Sequence, residues 1–351
     1  MPPETVHAPE FSPSLAWLNT TRPLSLRELR GQLVILDFWT YCCINCMHVL
    51  PTLRLIEERH KDDPLVVIGV HSAKFDGEKD AARIDEAIRR YDIHHPVVVD
   101  RDMMTWSAFA IRSWPTLVVI RPDGTLAAVA PGEPDAEVLD RFITEELAIA
   151  RKKGQLAASP FPVDAPPRAE TGALAYPGKL ALGPDGAIAV ADSGHHRVLV
   201  LDREGNVRHC FDGFDDPQGL AWRGASELFV ADARLHTVSR IDLATGDQSI
   251  VAGTGELGEA PIRGTSPAKT TALRSPWDLL LDGDALYIAL AGSHQIGKLD
   301  LRGKQAVPRV GHRSGVDRRW SVRGGHLLPA ERAREDGNEA LCRRQRDQRG
   351  A

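Results

Sequence analysis

Cysteines are few in this sequence, and most of them stand together. Of the five cysteines in 351 residues, Cys42, Cys43 and Cys46 lie within five positions. Only Cys210 and Cys342 lie elsewhere, which excludes the dense disulfide framework of a small secreted protein. The pattern instead predicts a protein with reduced thiols and one reactive site.

Long apolar runs and a basic leader are also missing. No segment approaches the ~18 uninterrupted apolar residues of a membrane-spanning helix. The start of the chain, MPPETVHAPEFSPSLAWLN, has neither a basic beginning nor an apolar core, so no signal peptide is predicted. The formal charge of −5 provides no general attraction to nucleic acid or anionic membranes. We therefore expect a cytoplasmic protein without a nucleic-acid or membrane partner.

Positions 15–151 are predicted to form an α/β domain. LVILDF (33–38) is an apolar run typical of a strand covered on both faces, and the apolar positions after Cys46 have helical spacing. Further strands are predicted at 65–70, 96–100, 116–120 and 125–130, and further helices at 78–91, 103–111 and 135–153. This alternation predicts a central, mainly parallel sheet flanked by helices, made mixed by an antiparallel edge strand.

Composition marks the neighbouring boundaries. Residues 1–14 are assigned to an N-terminal tail. Residues 152–172 carry four prolines and no periodicity, which predicts a linker. From 173 to 302 the alternation of strands and helices is replaced by repeats of short strands.

The repeats have a period near 40 residues. Copies begin at Pro177, Pro217 and Pro276, and the first two are offset by 40, as are His196 and His236. A period near 40 built from strands is typical of a β-propeller blade, here with three visible copies. The repeated histidines could be metal ligands, but a structural polar role is favoured because the copies lie on different blades.

Residues 303–351 fit neither pattern. They contain eleven arginines and one lysine against six acidic residues, with little apolar periodicity. We expect a disordered, Arg-rich tail, or unrelated coding that replaces the rest of a shortened repeat array. Three blades are too few to close a ring, which normally needs at least about four.

Two chemistries are open to the cysteine cluster. Cys43 and Cys46 are spaced as a CxxC pair at a predicted helix start, where free N–H groups stabilise a thiolate. Cys43 is then the attacking sulfur and Cys46, one turn further, the resolving thiol. Zinc binding is disfavoured because no second CxxC exists and the nearby His48, His60 and His71 lack the necessary spacing. Inert buried cysteines are the remaining alternative.

Three separated motifs carry a family resemblance. ILDFWTYCCINC resembles the active-site strand and turn of thioredoxin, with Asp37 six residues before Cys43. IRSWPTLVVIRPDGTL resembles the segment around the thioredoxin cis-proline, which implies a cis peptide bond before Pro115. The strand–helix–strand portion near 65–100 resembles the TlpA-like branch. With the NHL-type blades, the chain is similar to the family of NHL-repeat-containing protein two and its bacterial homologues, up to about position 302.

Roles follow for the residues around the thiols. Asp37, ending an apolar run, is expected to be a buried carboxyl with a raised pKa that exchanges a proton with Cys46, although a solvated acid at the strand end is the alternative. Pro115 lacks an N–H and is expected beside an extended substrate peptide. Trp39 and Trp114 form either the rim of the cleft or its core. Cys42 is inert or secondary.

These expectations lead to two functional hypotheses. The first is a thiol–disulfide oxidoreductase that needs no cofactor or metal, acting on a protein disulfide and drawing electrons from a protein reductant, with the blades binding a protein partner. The second is a non-catalytic scaffold with the same fold. A peroxidase is less well supported because Thr40 lacks the proline that peroxiredoxins place before their cysteine. The blades, with twelve basic and seventeen acidic residues, have the wrong charge for nucleic acid.

Overall fold

The structure, a computed structural model, describes residues 6–164, 166, 172–259, 261, 262 and 266–302. It also gives the backbone of 305–310, 319–323 and 326–330. No helix in this part of the chain combines the length and the apolar content needed to cross a bilayer.

The first unit is a six-stranded sheet with helices. Its strands are β1 (Ala16–Leu18), β2 (Leu33–Trp39), β3 (Leu65–His71), β4 (Val97–Val99), β5 (Thr116–Ile120) and β6 (Leu126–Pro131). Its helices are α1 (Ile44–Arg59), α2 (Ala81–Arg90), α3 (Met104–Ala108) and α4 (Ala136–Lys152). The strand order is β1-β4-β3-β2-β5-β6. This is a thioredoxin-like α/β fold with a mixed sheet.

The direction of β5 corrects the expected, mainly parallel sheet. β2, β3 and β4 are parallel, but β5 lies antiparallel to β2, and β6 is antiparallel to β5. β1, which the sequence pattern did not predict, adds an antiparallel edge on β4. Periodicity identifies a strand but not its direction, which depends on the path of the connecting chain.

Strand β2 is central because both of its faces are covered. Leu33 and Ile35 pack into the apolar cluster that contains side chains of α1 and α4. Val34, Leu36 and Phe38 point to the opposite face and pack into a second cluster. This alternation is the pattern of a strand buried on both sides, and it assigns the odd-numbered positions of β2 to the face of α1.

Segments outside the predicted 15–151 domain also pack against this unit. Phe11, within the expected N-terminal tail, is buried in the second cluster. Glu10 accepts hydrogen bonds from the backbone N–H groups of Leu26 (2.7 Å) and Arg27 (3.0 Å). The predicted linker returns along the unit, since Gln32 donates to the carbonyl of Ser159 at 3.0 Å.

The second unit consists of antiparallel sheets of the kind expected for NHL blades. The first sheet contains β7 (Pro177–Leu182), β8 (Ile188–Asp192), β9 (Arg197–Leu201) and β10 (Val207–Phe211). The second contains β11 (Pro217–Arg223), β12 (Glu227–Asp232), β13 (Thr237–Asp242) and β14 (Gln248–Ala252). The third contains β15 (Ser266–Pro267), β16 (Pro276–Asp282), β17 (Ala285–Leu290), β18 (Gln295–Asp300) and β19 (Gln305–Val310).

The repeated histidines occupy matching turns of the blades. His196, His236 and His294 each adopt a left-handed backbone, with φ between 55° and 57°. The turns of the first two copies begin at buried aspartates: Asp192 accepts a hydrogen bond from a preceding-loop N–H, and Asp232 accepts two. The repeated sequence pattern therefore corresponds to a turn after the second strand of a blade, which is hydrogen-bonded to the loop that precedes the blade.

The third sheet extends past the expected boundary at 302. β19 pairs antiparallel with β18 and supplies an outer strand of this blade. Two further strands, β20 (Arg319–Arg323) and β21 (His326–Ala330), form a separate ribbon. The remainder of the expected Arg-rich tail lies outside the described residues.

The two units meet at a polar cluster that includes His48 of α1. His48 lies with Nδ1 3.1 Å from Oε2 of Glu133 and Nε2 2.7 Å from Oγ of Ser275. Arg274 forms an ion pair with Glu133 and donates to the carbonyl of Gly292 at 2.8 Å. A Cβ atom at Gly292 would lie 2.8 Å from the His48 ring, so this close approach requires glycine.

We expect the Glu133→Gln variant to unfold with a free energy about 1–3 kcal/mol lower than wild type near neutral pH, because His48 and Arg274 lose their anionic partner. Burial opposes ionisation of Glu133, but hydrogen bonds and charges of these two partners lower its pKa. The stabilisation is therefore complete above the pKa of an unfolded glutamate and is lost as the pH falls through the folded value. Urea unfolding across this pH range measures it.

The control variant Glu58→Gln removes the same charge from an exposed position of α1. It is expected to change the unfolding free energy by less than about 0.5 kcal/mol. If the Glu133→Gln effect were no larger than the control's, or stayed constant down to acid pH, the polar cluster would have no part in joining the units.

Candidate functional site

The amino end of α1 presents the thiols. Cys43 is the N-cap residue, with an extended backbone, and its carbonyl accepts the N–H of Cys46 at 2.9 Å. Cys46 is completely buried, Cys43 is half-buried and Cys42 is exposed. All three are free thiols, as is Cys210. The structure thus brings the predicted pair together on the first turn of the helix.

Cys43 and Cys46 have opposite pKa shifts. A hydrogen bond with the Cys46 side chain lowers the pKa of Cys43 against the opposing effect of burial. Backbone N–H groups and the charge of Lys74 lower it further. Burial, the hydrogen bond and charge of Cys43, and the charge of Asp37 raise the pKa of Cys46 well above that of a free thiol. Cys43 is consequently the more readily ionised sulfur.

Asp37 lies fully buried within β2, on the face covered by α1. Neither of its carboxylate oxygens makes a hydrogen bond within the described residues. Burial raises the pKa of Asp37 to about 7, although the charge of His95 lowers it slightly. Asp37 is thus a buried carboxyl and not a solvated acid at the strand end, and its proton exchange with Cys46 stays a prediction. This group can hold or release a proton near neutral pH.

An aromatic layer lies beside the thiols. Trp39 is completely buried, so it belongs to the core and not to the rim of the cleft. The ring centroids of Trp39 and His71 lie 5.0 Å apart in an edge-on arrangement. The Tyr41 ring stacks on the His71 ring, with centroids 5.4 Å apart. Burial lowers the pKa of His71 to about 4, so the ring is neutral at neutral pH. Gly69 makes room, since a Cβ there would lie 2.9 Å from Nε1 of Trp39.

The second motif also lies at the site. The Trp114–Pro115 peptide bond is cis, as the family resemblance implies. Gly132 donates its N–H to the carbonyl of Pro115 at 2.8 Å. Trp114 is half-buried and donates Nε1–H to the carbonyl of Ser72 at 3.0 Å. Trp114 and Cys43 pack against the same apolar cluster, so both border one buried patch of this unit.

Glu78 is a site residue that the sequence analysis missed. Its Oε1 accepts the hydroxyl of Thr40 at 2.7 Å and the N–H of Cys42 at 3.1 Å. Its Oε2 accepts the N–H groups of Lys74 and Phe75 at 2.9 and 3.0 Å. Glu78 follows β3, whose carboxyl end is beside that of the parallel strand β2. Side chains after both strands meet at that edge, so the strand pattern could have indicated it.

No group of three or more His, Cys, Asp or Glu side chains in the described part of the chain is arranged to hold a metal ion.

Two family profiles match the chain. A thioredoxin-like profile covers residues 31–126, which contain the thiol cluster, Asp37 and Pro115. An NHL repeat profile covers residues 174–201, the beginning of the second unit.

Some relatives are similar to this chain across both units. The chain is 40% identical over 333 residues to Protein SUPPRESSOR OF QUENCHING 1, chloroplastic, of Arabidopsis thaliana, covering 88% of this chain and 31% of that protein. It is 36% identical to NHL repeat-containing protein 2 of Gallus gallus, covering 90% of this chain and 47% of the relative. The chain thus spans less than half of either relative's length. Thiol-disulfide oxidoreductase YkuV of Bacillus subtilis is 26% identical over 40% of this chain and 93% of its own length.

Solved structures similar to this chain include a thioredoxin-like superfamily protein with 25% identity and a TM-score of 0.38, covering 40% of this chain and 96% of that one. A thiol:disulfide interchange protein DsbE from Chlorobium tepidum has 20% identity and a TM-score of 0.36, covering 41% and 96%.

Substitution of Asp37 by asparagine is expected to stabilise the protein at neutral and higher pH by about 1–3 kcal/mol. The difference between an unfolded pKa of 3.8 and a folded pKa of about 7 is equivalent to a cost of about 4 kcal/mol, part of which an unpaired buried amide retains. Between these values the folded state binds more protons, so wild-type stability falls as the pH rises from 3.8 to about 7. Urea unfolding at several pH values measures this.

The same variant supplies its own control at acid pH. Below pH 3.8 the carboxyl is protonated in both states, so the stabilisation by asparagine should largely disappear there. A variant less stable than wild type at every pH would show that Asp37 is not a buried acid with a raised pKa.

Proposed function

Because the chain carries a thioredoxin-like domain followed by an NHL repeat, we propose that it is a thiol–disulfide oxidoreductase acting through Cys43 and Cys46. The observation that supports this most is the pairing of an ionisable Cys43 thiol with a buried Cys46 thiol on the first turn of α1. The thioredoxin-like domain is related to thiol–disulfide oxidoreductases, which is consistent with this chemistry.

The proposed reaction is a two-electron exchange of disulfides. The Cys43 thiolate attacks one sulfur of a substrate disulfide, forms a mixed disulfide, and releases the other substrate sulfur as a thiolate that takes a proton from water. Cys46 then loses its proton and attacks Cys43, which releases the second substrate thiol. The substrate disulfide is reduced, and Cys43 and Cys46 are oxidised to a disulfide that a dithiol protein reductant restores.

Asp37 is the proposed acceptor of the Cys46 proton. The Cys46 thiol is difficult to ionise because it is buried and faces the charge of Asp37. With a pKa of about 7, a substantial fraction of Asp37 is ionised at neutral pH and can take this proton. Its protonation also removes the negative charge that opposes the new thiolate. Asp37 thereby assists the resolving step more than the first attack.

The substrate is proposed to lie along the Trp114–Pro115 segment, which contains the cis peptide bond. Trp114 packs against the apolar cluster that the half-buried Cys43 also borders, and Pro115 presents no N–H of its own. An extended segment of a disulfide-containing protein fits this chemistry.

The remaining assignments concern the organisation of the chain. We assign catalysis to residues 15–151 and binding of a protein partner to the blades at 173–302, joined by a linker at 152–172. A reducing compartment such as the cytoplasm suits the free thiols, because reduced cysteines are the rule there.

Turnover assays with the cysteine variants test this proposal. The Cys43→Ser variant is expected to lose at least about 100-fold of the activity in insulin or DTNB reduction with an electron donor present, because the attacking thiolate is gone. In the Cys46→Ser variant a mixed disulfide between Cys43 and the substrate should accumulate, because no thiol resolves it. A dithiothreitol-sensitive mass increase detects this adduct.

Cys42→Ser is the matched control, since it removes a neighbouring thiol but leaves the pair intact. It should retain activity within about threefold of wild type, because Cys42 is not the ionisable thiol. Equal inactivity of wild type and Cys43→Ser would instead support a binding scaffold.

A further inference from the structure

Exposure alone would select the wrong thiol at this site. Cys42 is exposed and directly precedes the half-buried Cys43. An electrophile from solvent therefore meets Cys42 more easily. Something other than access must direct the reaction to Cys43 if Cys43 is to act with Cys46.

Glu78 is in position to make this distinction. It is 3% exposed and accepts hydrogen bonds at both carboxylate oxygens, from Thr40 and Cys42 on one segment and from Lys74 and Phe75 on the other. Its carboxylate therefore ties the residues just before the CxxC pair to the loop after β3. The carboxylate charge therefore lies beside Cys42, whose backbone N–H it accepts at 3.1 Å.

The charges around Cys42 favour its neutral form. Although the residue is exposed, the Cys42 sulfur is partly shielded from water. This shielding, then the interaction with Glu78 and its negative charge, raise the pKa of Cys42 to about 12, and Cys43 adds to this. Lys74 is the opposing cation, and its effect is smaller. Burial also opposes ionisation of Glu78, but hydrogen bonds from Cys42, Thr40 and backbone N–H groups lower its pKa, so the carboxylate is charged at neutral pH.

We propose that Glu78 is a positioning residue whose buried carboxylate, held at the Cys42 backbone, keeps the exposed Cys42 as a neutral thiol and so restricts reaction to Cys43. The same carboxylate fixes the backbone at Cys42, immediately before the N-cap of α1. This inference rests on the proposed function in so far as Cys43 is the attacking sulfur. It assigns a role to a residue outside the CxxC motif and explains how two adjacent cysteines can differ in reactivity.

Alkylation of the full chain, resolved for each cysteine by mass spectrometry, tests the role of Glu78. In wild type, iodoacetamide should modify Cys43 faster than Cys42 near neutral pH in spite of the greater exposure of Cys42. In the Glu78→Gln variant, which retains an acceptor oxygen but no charge, the rate at Cys42 should rise about tenfold or more and its pH profile should shift to lower pH. An unchanged Cys42 profile would overturn the proposal.

Asp76→Asn is the matched control. Asp76 and Glu78 lie on one short 3-10 helix (Asp76–Lys79), but the Asp76 side chain is 97% exposed and pairs only with Lys79 among the contacts described. Loss of this charge should leave the Cys42 rate within about twofold of wild type, because exposed charges are screened. Glu78→Asp, which restores a carboxylate, should return the rate toward wild type. An equal rise in Asp76→Asn would show a general charge effect and overturn the specific role.

Two measurements guard against a failure to fold. Circular dichroism and thermal unfolding establish whether Glu78→Gln retains the native structure. If it does not, the wild-type profile decides: faster alkylation of Cys42 than of Cys43 near neutral pH would overturn the proposal, and the reverse order would support it.

The alkylation and turnover assays separate this inference from the proposed function. If Cys42 were alkylated faster in Glu78→Gln but wild type showed no disulfide turnover, the role of Glu78 would be supported and the proposed oxidoreductase function contradicted. If wild type turned over disulfides through Cys43 but the Cys42 alkylation rate did not change in Glu78→Gln, the proposed function would be supported and the role of Glu78 contradicted.

Discussion

The packing of the amino end of α1 against β2 is the contact on which the thiol cluster depends. Trp39 at the end of β2, and Cys46 and Leu50 on α1, share one buried apolar cluster. This packing removes Cys46 from water and raises its pKa, but it leaves Cys43 at the N-cap, where N–H groups favour a thiolate. One contact between a strand and a helix is therefore associated with a lowered pKa of Cys43 and a raised pKa of Cys46.

Two buried carboxyl groups complete this arrangement in opposite ways. Asp37 has no hydrogen-bond partner among the described residues, and burial raises its pKa to about 7. Glu78 accepts hydrogen bonds at both oxygens, and these lower its pKa in spite of burial. Hydrogen bonding, more than burial, thus decides which carboxyl titrates near neutral pH and which remains a fixed charge. The former is near Cys46 and the latter near Cys42.

The parts of the site that sequence predicted are those with local signals. The apolar run ending at Asp37, the CxxC spacing at a helix start and the Trp-Pro motif each lie within a short segment, and the structure brings them together. Glu78 was missed because it is far along the chain from Cys42, and only the parallel pairing of β2 with β3 makes them neighbours. The direction of β5 and the ion pair of Arg274 with Glu133 likewise depend on tertiary structure. Neither could be predicted from hydrophobic periodicity.

Strand β2 can contain an acid that has no hydrogen-bond partner among the described residues because its other side chains offset the cost. Keeping Asp37 ionised inside the protein costs about 4 kcal/mol. Leu33, Ile35, Leu36 and Phe38 are fully buried, and each stabilises the fold by about 1.5–3 kcal/mol as an upper range. Their sum exceeds the cost, so a carboxyl with a pKa of about 7 can be fixed at the centre of the sheet. On a loop the same carboxyl would be solvated, and its pKa would return to a range where it holds no proton at neutral pH.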